Sequence, residues 1–102
     1  MLLQATNRLG EAESLMQRAL AIDEDSFGND HPNVAIDLSN LAVLLKDTNR
    51  LAEAETLMRR AVDILEKSLG VDHPNTRTVR KNLATLLAEL NQAAGESDHP
   101  TA

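Results

Sequence analysis

The segment Leu-Leu-Gln-Ala-Thr-Asn-Arg-Leu-Gly-Glu-Ala-Glu-Ser-Leu-Met-Gln-Arg-Ala-Leu, from Leu2 to Leu20, returns as Leu-Leu-Lys-Asp-Thr-Asn-Arg-Leu-Ala-Glu-Ala-Glu-Thr-Leu-Met-Arg-Arg-Ala-Val, from Leu44 to Val62. The same shift of 42 positions (44 − 2) carries Gly28, Asp30, His31, Pro32 and Asn33 onto Gly70, Asp72, His73, Pro74 and Asn75. Self-similarity at a fixed period of tens of residues constrains the chain to a stack of like units, each burying its apolar face on its neighbour. Such a stack works through the surface it presents, so binding is expected of it and catalysis is not.

The units are helical. From Leu51 to Leu69, the residues Leu51, Ala54, Leu57, Met58, Ala61, Ile64 and Leu65 recur at three- and four-residue steps, with Glu53, Arg60, Asp63 and Lys67 falling mostly between them. That spacing buries one stripe and leaves the Glu-rich remainder to solvent. Glu55 precedes Arg59, and Asp63 precedes Lys67, by four positions, pairs that add a few tenths of a kcal/mol each on an exposed helix face. Thr48-Asn49-Arg50, and its counterpart Thr6-Asn7-Arg8, read as tight turns in which Asn takes the left-handed conformation that ends a helix. Gly70 reads as a helix stop and Pro74 as a first-turn residue, so Asp-His-Pro is helix-start chemistry. The pattern predicts an all-α solenoid of about two helix pairs, with roughly five helices near 1–6, 9–27, 33–48, 51–69 and 75–91. The repeat domain is expected over 1–91, and the small, polar stretch 92–102 as a disordered tail.

Composition narrows the setting. The hydrophobic fraction is 42%, yet Phe27 is the one aromatic residue, so the core has to be aliphatic. Cysteine is absent, which excludes disulfides and thiolate metal sites and leans the setting toward the cytoplasm. No run approaches the roughly 20 apolar residues that span a bilayer. A formal net charge of −6 argues against nucleic acid or an anionic membrane surface as partner, since both need a basic footprint. Asp30-His31, Asp72-His73 and Asp98-His99 each precede a proline. Loops of a solenoid stand about a helix pair apart, so these do not converge as the three or four ligands of a zinc site must. No metal, cofactor or catalytic residue is expected, because neither a nucleophile-base arrangement nor a Gly-rich phosphate loop occurs.

The stretches Leu-Ser-Asn-Leu-Ala-Val-Leu-Leu, Asn-Arg-Leu-Ala-Glu-Ala-Glu, Arg-Arg-Ala-Val-Asp-Ile-Leu-Glu and Leu-Gly-x-Asp-His-Pro-Asn together resemble the tetratricopeptide repeat. The likeness is to the longer variety found in kinesin light chains and many bacterial signalling proteins, and it covers all but the last ten or so residues. Ala42, Ala54 and Ala61 stand where that family needs close helix packing. The ordinary repeat has about 34 residues, so each unit here is longer by about one turn per helix. The resemblance implies a right-handed stack with a concave face built mainly from the first helix of each pair, which binds a peptide or protein segment.

Helical geometry shows what that face contains. With Leu38, Leu41, Ala42 and Leu45 as the buried stripe of the third helix, Ile36, Asn40, Val43 and Asp47 share another face, and Thr78, Asn82, Thr85 and Glu89 are their counterparts on the fifth. Ser39, Lys46 and Lys81 stand beside them as polar or cationic contacts. In related repeats an Asn at the place of Asn40 and Asn82 hydrogen-bonds a bound peptide's backbone, for which an amide that both donates and accepts is suited. A solvated or turn-capping role for the two amides stays open beside it.

The copies also differ. Val34, Ala35 and Leu38 become Thr76, Arg77 and Arg80, so an apolar surface turns polar, as at the terminal unit of a solenoid, and the array is expected to end there by design. Leu83, Leu86, Leu87 and Leu90 lack a partner helix, as does the N-terminal edge. About two repeats is fewer than the roughly three that stability usually requires, so self-association as a homodimer through the fifth helix or the N-terminal edge is expected. A C-terminal piece of a longer array or signalling protein is the other reading, with upstream repeats covering that edge.

Overall fold

The computed structural model describes residues 2–97, with side chains placed for residues 8–92. It consists of α1 (Leu2–Phe27), α2 (Pro32–Asp47), α3 (Leu51–Leu69) and α4 (Pro74–Ser97), each packed antiparallel on the next. The all-α helical solenoid expected from the repeat is therefore the architecture, with four helices among the described residues in place of five. The first two expected helices are one, because no turn forms at Thr6-Asn7-Arg8. The same three residue types do turn at Thr48-Asn49-Arg50, where Asn49 takes φ 64° and the Thr48 hydroxyl donates to the Leu45 carbonyl at 3.0 Å. There the broken helix is repaid by a whole helix, α2, folding back on α3. At Thr6-Asn7-Arg8 the helix instead runs on unbroken. The last helix also runs six residues past Asn91, to Ser97, while 98–102, with His99, lie outside the described residues.

Local chemistry sets the remaining boundaries. His31 is the N-cap of α2, its Nδ1 accepting the Asn33 N–H at 3.1 Å. His73 repeats the bond with the Asn75 N–H at 3.1 Å. Each satisfies a helix-start donor that would otherwise be orphaned. Gly70, at φ 89°, ends α3 in a conformation that costs a side chain but not a glycine.

The core lies on both sides of α2. Val34, Ala35, Leu38, Leu41, Ala42 and Leu45 join Ala54, Met58, Ala61, Ile64 and Leu65 of α3 and Val79 and Leu86 of α4 in one buried cluster, with Met16 and Leu20 of α1 against it. The fully buried alanines Ala35, Ala42, Ala54 and Ala61 let the helix axes close up, while each buried Leu or Ile contributes about 2 kcal/mol. Ion pairs tie α1 to α3 over the top of α2: Arg50 to Glu13 at 2.8 Å and Arg60 to Glu24 at 2.9 Å. The expected pairs Arg59–Glu55 (2.7 Å) and Lys67–Asp63 (3.1 Å) form on the outer face of α3.

The two seams between repeats differ in one place. In the α3–α4 seam Leu65 and Val79 are buried. Shifted back by 42 positions, the α1–α2 seam holds Asp23 and Asp37. Burial, and then the hydrogen bond and like charge of Asp23, push the Asp37 carboxyl up to about 6. One of its oxygens, Oδ2, is buried without a hydrogen-bond partner.

Two expectations about the end of the stack need correction. Thr76 is not part of a polar outer surface: it is fully buried, and its hydroxyl donates to the Leu65 carbonyl at 3.3 Å. It occupies the inward position of Val34, where a β-branched hydroxyl with a local acceptor replaces a methyl group. Arg77 and Arg80 are exposed, as expected. Of the leucines assigned to self-association, Leu86 is 1% exposed and belongs to the core, and Leu83 and Leu90 are half-buried against it. Only Leu87, half-buried, is outside that cluster. Leu83, Leu86 and Leu90 thus pack with the core that α3 shares, the helix already present, whereas Leu87 lies on the other edge of α4 with Arg77, Arg80 and Ala84.

Candidate functional site

Because α2 and α3 are antiparallel, and α3 and α4 likewise, α2 and α4 run in the same direction, and residues 42 apart stand at equivalent heights on them. Between them lies a groove whose floor is α3. One cleft of it, about 280 Å³, is lined by Ile36, Ser39, Asn40, Leu65, Asn75, Thr78, Val79 and Asn82. A smaller one, about 70 Å³, continues along the same helices and is lined by Ala42, Val43, Lys46, Met58, Asn82, Thr85 and Leu86. Asn82 stands where the two meet.

Of the nine residues expected on this face, eight line it: Ile36, Ser39, Asn40, Val43, Lys46, Thr78, Asn82 and Thr85. Helical periodicity was sufficient for that, since one side of α2 is held by the core and the opposite side has to face α4. Lys81 does not line it. Lys81 is the counterpart of Ser39, and on α2 that position points toward α4. The same position on α4 therefore points away from α2, and Lys81 is exposed there.

The chemistry of the groove is mixed. Ile36 and Val43 are each 41% exposed, which is high for β-branched apolar residues and gives the wall two apolar contacts. Asn40 is exposed and Asn82 half-buried, so amides stand on both walls with donor and acceptor atoms. Ser39 is more enclosed than expected, at 8% exposure. Lys46 is engaged rather than free: its ammonium meets Glu89 of α4 at 3.3 Å and closes one end of the groove. Both partners are part-exposed, so the pair adds little to stability, and an acidic ligand group would compete with Glu89 for the cation.

Residues of three kinds were missed from sequence. Asn75 reaches the cleft from the first turn of α4; its sequence signals are that it follows Pro74 at a helix start and that it repeats Asn33. Leu65 and Met58 reach it as the floor, because second helices show between first helices that are not in direct contact. A separate cleft of about 420 Å³ opens on the other side of the stack, floored by Leu20, Leu41, Leu45 and Leu57 and rimmed by Glu13, Arg50 and Glu53. It is made by α1 and α3 bridging α2, a juxtaposition that spacing alone does not indicate.

Among the described residues no three His, Cys, Asp or Glu side chains come together as metal ligands would, and no described helix is long and apolar enough to cross a membrane. No curated protein matches the chain. The tetratricopeptide repeat, in contrast, matches it twice, over residues 1–67 and 38–95. The overlap of the two matches, 38–67, holds most of α2 and α3, the hairpin common to both readings of the period. With a 42-residue internal repeat, helix pairs stacked through alanine contacts and a match across nearly its whole length, the chain belongs to the tetratricopeptide repeat family.

Proposed function

We propose that the groove between α2 and α4 binds an extended peptide or protein segment, as an interaction module without catalysis of its own, of the kinesin-light-chain-like long-repeat kind. The observation that carries this reading is the convergence of Asn40 and Asn82 on one groove beside the exposed Ile36 and Val43. Amides pair with a peptide backbone whatever its sequence, and apolar contacts between them select side chains. Tetratricopeptide repeats generally mediate protein–protein contacts, which supports it. With no basic groove and a net charge of −6, the ligand is protein and not nucleic acid or membrane. The absence of cysteine suits the cytoplasm.

The test begins with peptides selected from a random library against the full chain, followed by titration against Asn40→Ala, Asn82→Ala and the double variant. Each single change is expected to weaken binding several-fold, and the pair at least tenfold, with far-UV circular dichroism unchanged. Selected peptides that bind the double variant as well as the parent refute the groove.

A further inference from the structure

The cleft between α1 and α3 shares no lining residue with the α2–α4 groove. Its walls and floor are supplied by residues 13–57, and it lies between the two ion pairs that hold α1 to α3, Arg50–Glu13 and Arg60–Glu24. Those ties are eleven positions apart on α1 (24 − 13) and ten on α3 (60 − 50), so the slot is about 15 Å long at about 1.5 Å per residue. A helix or extended chain lying along it would have to pass an ion pair at each end, whereas a compact molecule fits between them.

The floor is aliphatic. Leu41 and Leu45 of α2 are 4% and 3% exposed, and Leu20 and Leu57 flank them half-buried from α1 and α3. A volume of about 420 Å³ falls within the roughly 300–1,000 Å³ of small-molecule sites. At about 30 Å³ per water it corresponds to a body of about ten to fourteen non-hydrogen atoms.

The rim decides the head group. Nη1 of Arg50 donates to both oxygens of Glu13 at 2.8 Å and Nη2 donates to Glu53, so two carboxylates share one guanidinium and the charges at the rim sum to one negative. Gln17 gives an amide N–H to Glu13 at 3.3 Å, and the Thr56 hydroxyl donates to the Ala52 carbonyl at 3.3 Å, which leaves the amide oxygen and the hydroxyl oxygen as acceptors. The repeat shows how the acidic excess arises. On α3, Glu55 pairs with Arg59 of its own helix at 2.7 Å, and on α1 Gln17 stands in the place of that arginine. Without a local cation, Glu13 turns to Arg50 across the cleft.

We propose that this cleft is a second binding site, for a small amphipathic amine whose apolar body lies on the four leucines and whose ammonium sits at the rim among Glu13, Glu53, Gln17 and Thr56. The body supplies most of the affinity by taking apolar surface out of water. The ammonium supplies the selectivity: its three donors meet acceptors, whereas a carboxylate in its place competes with Glu13 and Glu53 for Arg50. The site is independent of what the α2–α4 groove binds.

Three probes with one body, phenylbutylamine, phenylbutanol and phenylbutyrate, test this when titrated at neutral pH into the full chain with isotope-labelled leucine methyl groups and followed by NMR. Shifts are expected at Leu20, Leu41, Leu45 and Leu57, with the amine bound about threefold tighter than the alcohol and about tenfold tighter than the carboxylate. Gln17→Arg, at an exposed helical position, should weaken the amine about tenfold and leave the alcohol within about twofold, with circular dichroism unchanged. Thr56→Trp, also exposed, fills the mouth and should abolish binding of all three. No binding of the amine up to millimolar concentration, equal affinity for the three probes, or tighter binding of the carboxylate overturns the proposal. So do methyl shifts confined to Leu65 and Leu86 of the groove, a Gln17→Arg protein that keeps the parent's affinity for the amine, and a folded Thr56→Trp protein that binds as the parent does. Asn40→Ala with Asn82→Ala leaves amine binding intact, so the two sites fail separately.

Discussion

The Asp23–Asp37 contact makes the α1–α2 seam weaker at neutral than at mildly acidic pH. Burial and the neighbouring Asp23 raise the Asp37 carboxyl from its ordinary 3.8 to about 6. A raised folded-state value means the protonated form is the one the fold favours. Its contribution is full below about pH 4 and disappears as the pH rises through about 6. At 1.36 kcal/mol per pKa unit the rise corresponds to about 3 kcal/mol, and because Asp37 is only half-buried, solvent screening reduces this to about 1–2 kcal/mol. Replacing Asp37 with Val installs the residue the second seam already has at Val79. It removes the ionisation and the unpartnered Oδ2 together, and is expected to stabilise the protein at pH 7.5 by about 1–2 kcal/mol, or roughly 5–10 °C in Tm for a domain of this size. Thermal and urea melts by circular dichroism at pH 5 and pH 7.5, on the parent, Asp37→Val and Asp37→Asn, provide the check. The parent should lose stability between those two pH values relative to both variants. Parallel pH profiles for parent and Asp37→Asn, or no gain from Asp37→Val at pH 7.5, refute the reasoning.

The core and the helix starts yield further expectations. Leu38→Ala empties a fully buried position at the junction of the stack and should cost about 2–5 kcal/mol, read as a lower urea midpoint. His73→Ala removes the acceptor for the Asn75 N–H and should cost about 1 kcal/mol, whereas His73→Asp, a stronger cap, should recover it.

The period, the helical spacing, the aliphatic core and the stops at Asn49 and Gly70 were all determined by sequence, because each rests on interactions within a few positions or on strict recurrence. Eight of nine groove residues followed for the same reason: once one side of α2 is committed to the core, periodicity leaves the groove side little choice. Tertiary structure decided whatever depends on which neighbour is present. Thr6-Asn7-Arg8 and Thr48-Asn49-Arg50 are the same three residue types, yet among the described residues only the second turns, where α2 and α3 fold back on each other. Lys81 and Ser39 occupy equivalent positions, but the helix that makes Ser39 a groove residue lies on one side of α2 and has no counterpart beyond α4 among the described residues. Leu86 is core and Ile22 is surface for the same reason: α3 covers the one, and no described helix covers the other. Local spacing specifies which side of a helix is apolar, while burial of that side is a property of two surfaces and exists only once the second is in place.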